Sequence, residues 1–240
     1  MDQHAARFLT RLIRFDPGAL VRLRPAGEGR VALWGALPWG VLVTRTVDGF
    51  SASDRTVAAT DLLAGAVDPA RRDAEWRWAL PPAAAGSVEV LPASVVRDVA
   101  RAAAQTLKTA MESGVDGQPV GSRRLRDALL DHVAVTVTVD RPGSPLDGRV
   151  VEIPVRVVQG VTRMGLLAPD DAAPAPRDVD TTTASVRAPQ GVPVSSATPP
   201  QPAGVAADQV EVLVAGAWTG LAGPAGTVWY RPAGPSLRPV

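Results

Sequence analysis

The stretch that decides the fold is Val133–Leu167, VAVTVTVDRPGSPLDGRVVEIPVRVVQGVTRMGLL, because an earlier stretch, Val41–Val67, is a shorter copy of it. The first eight residues of the two stretches, VAVTVTVD and VLVTRTVD, are identical at six positions. In each copy a polar loop of six to eight residues leads to an arginine, Arg149 or Arg55, then to a short apolar strand and a helical segment. Alternation of valine with threonine is typical of a strand with one buried face. The pattern therefore predicts a unit of strand, loop, strand and helix that occurs twice.

The segments around the two copies complete an α+β fold. Apolar residues at helical spacing predict a helix at 2–14 and a longer one at 93–112, and Ser122 is a typical N-cap for a third helix. Gln209–Tyr230 alternates like a pair of strands around a glycine-rich turn, and an isolated hairpin would be only marginally stable. We therefore expect antiparallel sheets built from a duplicated β-hairpin–helix unit, with covering helices and a C-terminal β-hairpin docked on the main sheet.

Composition divides the chain into four parts. We expect an N-terminal α+β half at 1–80, a second α+β half at 81–167, a disordered linker at 168–208, and the docking hairpin with a short tail at 209–240. The linker holds eight prolines among small and polar residues. Such a segment cannot bury enough apolar surface to offset the entropy lost on ordering.

The totals exclude several classes of function. A formal net charge of +1 gives no global attraction to nucleic acid or to an anionic membrane. Cysteine is absent, so the chain has no disulfide, no thiolate nucleophile and no metal site built on sulfur. Arginines interrupt the apolar residues of Met1–Phe15, and no run of eighteen apolar residues occurs. We therefore expect neither a signal peptide nor a membrane partner, and a cytoplasmic location.

No motif points to an enzyme or to a bound cofactor. The dinucleotide fingerprint, the phosphate-binding loop, the HExxH pair and the EF-hand loop are all missing from the sequence. His4 and His132 are the two histidines, and neither has a serine and an acid at recognisable triad spacing. We expect a non-enzymatic protein without cofactor or metal, and an enzyme with an unrecognised carboxylate site is the third alternative.

Three arginines on a short helix favour a different alternative, nucleic-acid binding. Arg123, Arg124 and Arg126 would lie on the second of two helices, and Arg141 and Arg149 would lie at the tip of the hairpin that follows, as in a winged helix. The connection between the two helices is far longer than the three to four residues of a helix-turn-helix. The same arginines would also suit a solvated helix face, so DNA remains the alternative partner.

Tryptophan and arginine mark candidate protein interfaces. Trp76 and Trp78 flank Arg77, and both residue types are enriched at binding hot spots. Arg156 and Arg163 lie on the outer side of the predicted closing helix, where a basic stripe could face an acidic partner. The alternatives are tryptophans that pack in the core and a stripe that faces water. The leading interpretation is a binding or scaffolding protein that contacts a protein partner or another copy of itself.

Four short motifs resemble an uncharacterised protein family of high-GC Gram-positive bacteria. They are Asp73-Ala74-Glu75-Trp76-Arg77, Leu129-Leu130-Asp131-His132, Ile153-Pro154-Val155 and Arg163-Met164-Gly165. The resemblance covers most of the chain outside the linker and includes the closing hairpin. It implies a bacterial cytoplasmic protein and carries over no catalytic or ligand-binding residue.

Overall fold

The computed structural model describes residues 2–27, 29–49, 53–113, 122–168 and 205–232. None of the helices in these ranges is long and apolar enough to cross a membrane. The helices are α1 (Gln3–Phe15), α2 (Ala59–Leu63), α3 (Ala93–Ser113), α4 (Ser122–Asp131) and α5 (Val155–Arg163). The strands are β1 (Leu20–Pro25), β2 (Arg30–Leu37), β3 (Val41–Asp48), β4 (Arg55–Ala58), β5 (Gly86–Pro92), β6 (Val133–Thr138), β7 (Val150–Pro154), β8 (Gln209–Ala215), β9 (Trp218–Gly223) and β10 (Gly226–Tyr230). The mixed α+β class is confirmed.

Eight of the strands form one antiparallel sheet in the order β4-β1-β2-β3-β10-β9-β8-β5. The C-terminal run β8–β10 lies inside this sheet, because β10 pairs with β3 and places Thr227 opposite Thr44. The predicted docking of the C-terminal hairpin is therefore confirmed, with a third strand added to it. Most of the predicted linker, residues 169–204, lies outside the described residues, and the division into domains stays a prediction.

The two copies of the repeated unit have the same order of elements but pair differently. In the second copy, β6 and β7 pair with each other as a hairpin, as predicted, but they form a two-stranded sheet of their own instead of joining the main sheet. In the first copy, β4 pairs with β1 at the edge of the main sheet. The predicted hairpin of the first copy is wrong, because β2 and β10 already occupy both sides of β3.

One face of the main sheet is covered by α1 and α5. These helices bury an apolar side each, and Gly160 allows α5 to approach β10 closely. A Cβ atom at Gly160 would lie 2.9 Å from Cγ1 of Val228, closer than atoms of this kind pack. The buried residues of the two helices include Phe8, Leu9, Leu12, Val157, Val158 and Val161.

The opposite face of the sheet carries a second apolar cluster that includes Trp34 and Trp229. It is covered by an extended segment, residues 76–85, from which Trp76 packs onto the cluster. Nε1 of Trp76 donates a hydrogen bond of 2.7 Å to the carbonyl oxygen of Trp78. The segment between β4 and β5 therefore acts as a cover for this face in place of a helix.

Just before this covering segment in the sequence, a single 3-10 turn at Asp73–Glu75 contacts β4. The Asp73 carboxylate accepts a hydrogen bond of 2.5 Å from the backbone N–H of Thr56 and one of 2.9 Å from Nε of Arg71. These donors favour the ionised form, so they lower the pKa of Asp73 below its ordinary value. The turn thus protects the exposed edge of the sheet from pairing with another chain.

Candidate functional site

A groove of about 990 Å³ lies between α3, α4 and α5, and the turn that joins β2 to β3 also lines it. Its volume is at the upper end of the range of ordinary ligand-binding sites. The polar side chains that line it are Lys108, Glu112, Arg126, Asp127, Gln159 and Arg163. The apolar ones are Phe15, Pro38, Trp39, Ala103, Ala104, Leu107, Leu129, Leu130 and Val155. Apolar walls with a few polar groups are typical of a binding site.

Trp39 lines the groove and is held there by three contacts. Its Nε1 donates to the carbonyl oxygen of Arg156 at 3.1 Å, and Nη1 of Arg156 donates back to the carbonyl oxygen of Trp39 at 2.6 Å. The ring of Phe15 meets the indole edge-on, with centroids 5.2 Å apart, which is a favourable aromatic geometry. The indole therefore has a fixed orientation before any ligand arrives.

Arg163 and Gln159 are the polar residues that α5 contributes to the lining of the groove. Nε of Arg163 donates a hydrogen bond of 2.8 Å to Oε1 of Gln159, and its guanidinium carbon lies 5.8 Å from the centroid of the Trp39 ring. The side-chain amide of Gln159, which is 8% exposed, donates in turn to the carbonyl oxygen of Ala100 at 3.3 Å. The guanidinium of Arg163 is thus held by neutral groups alone among the described residues.

Arg156, seven residues earlier on the same helix, has a different surrounding. Its side chain is 15% exposed, contacts the Asp131 carboxylate at the end of α4, and lies 5.1 Å from the centroid of the Tyr230 ring. Together with its bonds to Trp39, these contacts join α4, α5, β10 and the β2–β3 turn. The basic stripe predicted on α5 therefore divides into an internal residue, Arg156, and a groove residue, Arg163.

The arginines predicted to contact nucleic acid are not brought together in the described part of the chain. Arg126 lines the groove, whereas the side chains of Arg123 and Arg124 lie outside the described residues. Arg141 and Arg149 belong to the loop that joins β6 to β7, and β6 separates this loop from α4 along the chain. Arg149 donates to the carbonyl oxygen of Gly216 at 3.2 Å. Nucleic-acid binding by these residues stays a prediction.

The tryptophan pair predicted as an interface is divided as well. Trp76 is half-buried against the second apolar cluster, whereas Trp78 is 40% exposed and Arg77 is exposed. The tryptophan that lines the groove is Trp39, to which sequence analysis assigned no role. No local pattern could connect it with α5, because its hydrogen bond to Arg156 spans 117 positions of sequence.

The fold and the groove define an α+β protein with a preformed site between helices. The chain belongs to the family described as Domain of unknown function (DUF8185), whose model matches residues 80–235. A second model, Domain of unknown function (DUF8010), matches residues 2–86. No curated protein matches the chain. The expected membership in an uncharacterised family is thereby confirmed. The groove combines residues from both matched regions, because Phe15 and Trp39 belong to residues 2–86 and the side chains of α3, α4 and α5 belong to residues 80–235.

Proposed function

We propose that this protein is a non-enzymatic binding protein whose groove between α3, α4 and α5 receives a helix of a partner protein. The observation that carries the proposal is the groove itself, which has apolar walls and a charged rim. Apolar residues at the centre of an interface exclude water, while charged residues at its rim set the orientation of the partner. Binding of an amphipathic helix in an apolar groove is a common mode of peptide recognition.

The length of the groove suits two to three turns of helix. Its α3 wall runs from Ala103 to Glu112, which corresponds to about 14 Å at the helical rise of about 1.5 Å per residue. Apolar anchors at positions i, i+4 and i+7 of a partner helix span about 10.5 Å by the same rise. Three anchors therefore fit along the wall. Leu107, Leu129 and Trp39 are the side chains that they would contact.

The test uses a labelled peptide of about fifteen residues with leucine at i, i+4 and i+7, the spacing of a helical face, and a scrambled peptide of the same composition. Fluorescence anisotropy measures the affinity of each for the full chain. Ala104 is exposed and lines the groove, so Ala104→Trp should fill the site without disturbing the core. Ala102 is exposed on the same helix and does not line the groove, so Ala102→Trp is the matched control.

We expect the patterned peptide to bind and the scrambled one to bind at least about tenfold more weakly, a difference of about 1.4 kcal/mol. Ala104→Trp should remove this binding, and Ala102→Trp should leave it unchanged. Equal affinity of the two peptides, or equal effects of the two substitutions, would refute the proposal. Binding of a small apolar dye that Ala104→Trp blocks, without any binding of peptide, would identify the groove as a small-molecule site instead.

A further inference from the structure

We infer that the partner helix carries a carboxylate side chain that binds Arg163, one helical turn away from the apolar side chain that contacts Trp39. This inference rests on the proposed function, since it specifies the partner of the same groove. Its starting point is a cation whose neighbours are neutral. Arg163 contacts the Gln159 amide oxygen and the Trp39 ring, and none of the described carboxylates lies within ion-pair distance of it.

The charges around the groove favour an acidic partner. Among the described residues, its lining contains three cations, Lys108, Arg126 and Arg163, and two carboxylates, Glu112 and Asp127. Lys108 and Glu112 lie 4.0 Å apart on successive turns of α3 and offset each other. Arg126 makes no ion pair with the described residues. A neutral or basic helix would leave the groove with excess positive charge, whereas an acidic one would complement it.

The geometry around Arg163 prepares the guanidinium for one kind of contact. Because Nε is already bonded to Gln159, the two terminal nitrogens are the donors that remain for a ligand. Two parallel donors match the two oxygens of a carboxylate, which a lysine ammonium cannot do. The Trp39 ring beside the guanidinium replaces water on that side, which strengthens an electrostatic contact.

The distance between Arg163 and Trp39 fixes the position of the acidic residue in the partner. The guanidinium carbon lies 5.8 Å from the indole centroid, and one turn of helix rises about 5.4 Å. A residue that contacts Arg163 therefore lies three or four positions from the one that contacts Trp39. Gln159 is a positioning residue here, because it acts on the ligand through Arg163.

The experiment compares two peptides that both carry the three leucines. One has glutamate and the other has glutamine four positions after the last leucine, and they are otherwise identical. Affinities are measured by anisotropy with the full chain, at about 50 and about 500 mM salt, since screening weakens charge contacts. The variants are Arg163→Gln, Arg163→Lys and, as a matched control, Arg101→Gln, which removes an exposed arginine on α3 outside the groove. Thermal unfolding of each variant checks that the fold is retained.

We expect the glutamate peptide to bind about tenfold more tightly than the glutamine peptide at low salt, with a smaller ratio at high salt. Arg163→Gln should reduce the ratio to about one, Arg163→Lys should retain only part of it, and Arg101→Gln should leave it unchanged. If both peptides bind equally and Ala104→Trp blocks both, the inference about charge is refuted while the proposed function stands. If neither peptide binds the parent protein, both are refuted. A glutamate preference that survives Arg163→Gln would refute the assignment to Arg163.

Discussion

The same substitution at the two arginines of α5 should have different effects. At Arg156 it should lower the stability of the fold, and at Arg163 it should weaken the binding of the partner. Arg156→Met keeps most of the side-chain volume and removes the guanidinium. It deletes a charged hydrogen bond of 2.6 Å to the carbonyl oxygen of Trp39, which contributes about 1.5–3 kcal/mol in comparable cases. It also deletes an ion pair with Asp131, which is 59% exposed and contributes at most about 1 kcal/mol. The contact with the Tyr230 ring adds about 0.5–1 kcal/mol.

One effect opposes these losses. Nε of Arg156 is buried without a hydrogen-bond partner among the described residues, and its removal recovers about 1 kcal/mol. The net loss in free energy of unfolding is then about 3 kcal/mol, which lowers the melting temperature of a chain of this size by about 6–12 °C. Arg163→Met removes one hydrogen bond and the contact with the Trp39 ring from an exposed side chain, and should cost about 1–2 kcal/mol, less than Arg156→Met.

Urea unfolding followed by circular dichroism and by tryptophan fluorescence measures both variants. Coincident transitions and equal slopes in urea would show that the comparison concerns one cooperative transition. We expect Arg156→Met to lose stability and Arg163→Met to lose the preference for the acidic peptide. Equal stability of the two variants would refute the assignment of Arg156 as the internal link between α4, α5 and β10.

Three further predictions concern the supports of the groove and of the sheet. Gly160→Ala should gain about 1 kcal/mol in helix propensity but lose more because the added methyl group is too close to Val228. Urea unfolding should therefore show that the substitution destabilises the parent protein and stabilises a Val228→Ala variant. In the same assay, Trp76→Ala should lower the free energy of unfolding by about 2 kcal/mol and Trp78→Ala by less than about 1 kcal/mol, because only the former exposes the second apolar cluster. The reverse order would contradict the role of Trp76 in covering this cluster. The lowered pKa of Asp73 means that its contribution to stability is present above its unfolded pKa of about 3.9 and is lost as pH falls through the lower, folded value. Asp73→Asn should therefore be less stable than the parent at pH 7, and the difference should shrink as pH falls below about 3.9; a difference that stays constant would refute this.

The helices that sequence analysis located best are those whose signals are local. The helix predicted at 2–14 is α1 (Gln3–Phe15), and the one predicted at 93–112 is α3 (Ala93–Ser113). Both carry an apolar face at helical spacing, and that face is what determines where an amphipathic helix forms and which side it buries. The threonine and valine alternation likewise located β3 and β6, because it is a local pattern that needs no knowledge of the partner strand. It did not show that β3 is buried on both faces, where even Thr44 is buried.

The pairing of strands could not be predicted in the same way. Thr44 of β3 lies opposite Thr227 of β10, a partner that is separated from it by about three-quarters of the sequence. The alternating pattern shows which face of a strand is buried but not which neighbour lies beside it, so the repeat suggested a hairpin that β3 does not form. Trp39 escaped notice for the same reason, since its functional neighbours on α5 are brought to it only by the completed sheet.

The difference between the two copies explains why the groove forms beside the helix of the second copy. In the first copy, β4 joins the edge of the main sheet, and the five-residue helix α2 that follows it packs beside α1. In the second copy, β6 and β7 pair apart from the main sheet, and α5 packs over β3, β9 and β10. The helices α3 and α4 then cover the outer side of α5. A polar side chain on that side, such as Gln159, is consequently buried in the groove instead of facing water, and its hydrogen bond holds Arg163 in place. The helix of the second copy, α5, therefore covers the main sheet on one side and lines the groove on the other, because α3 and α4 form a second layer of helices over it.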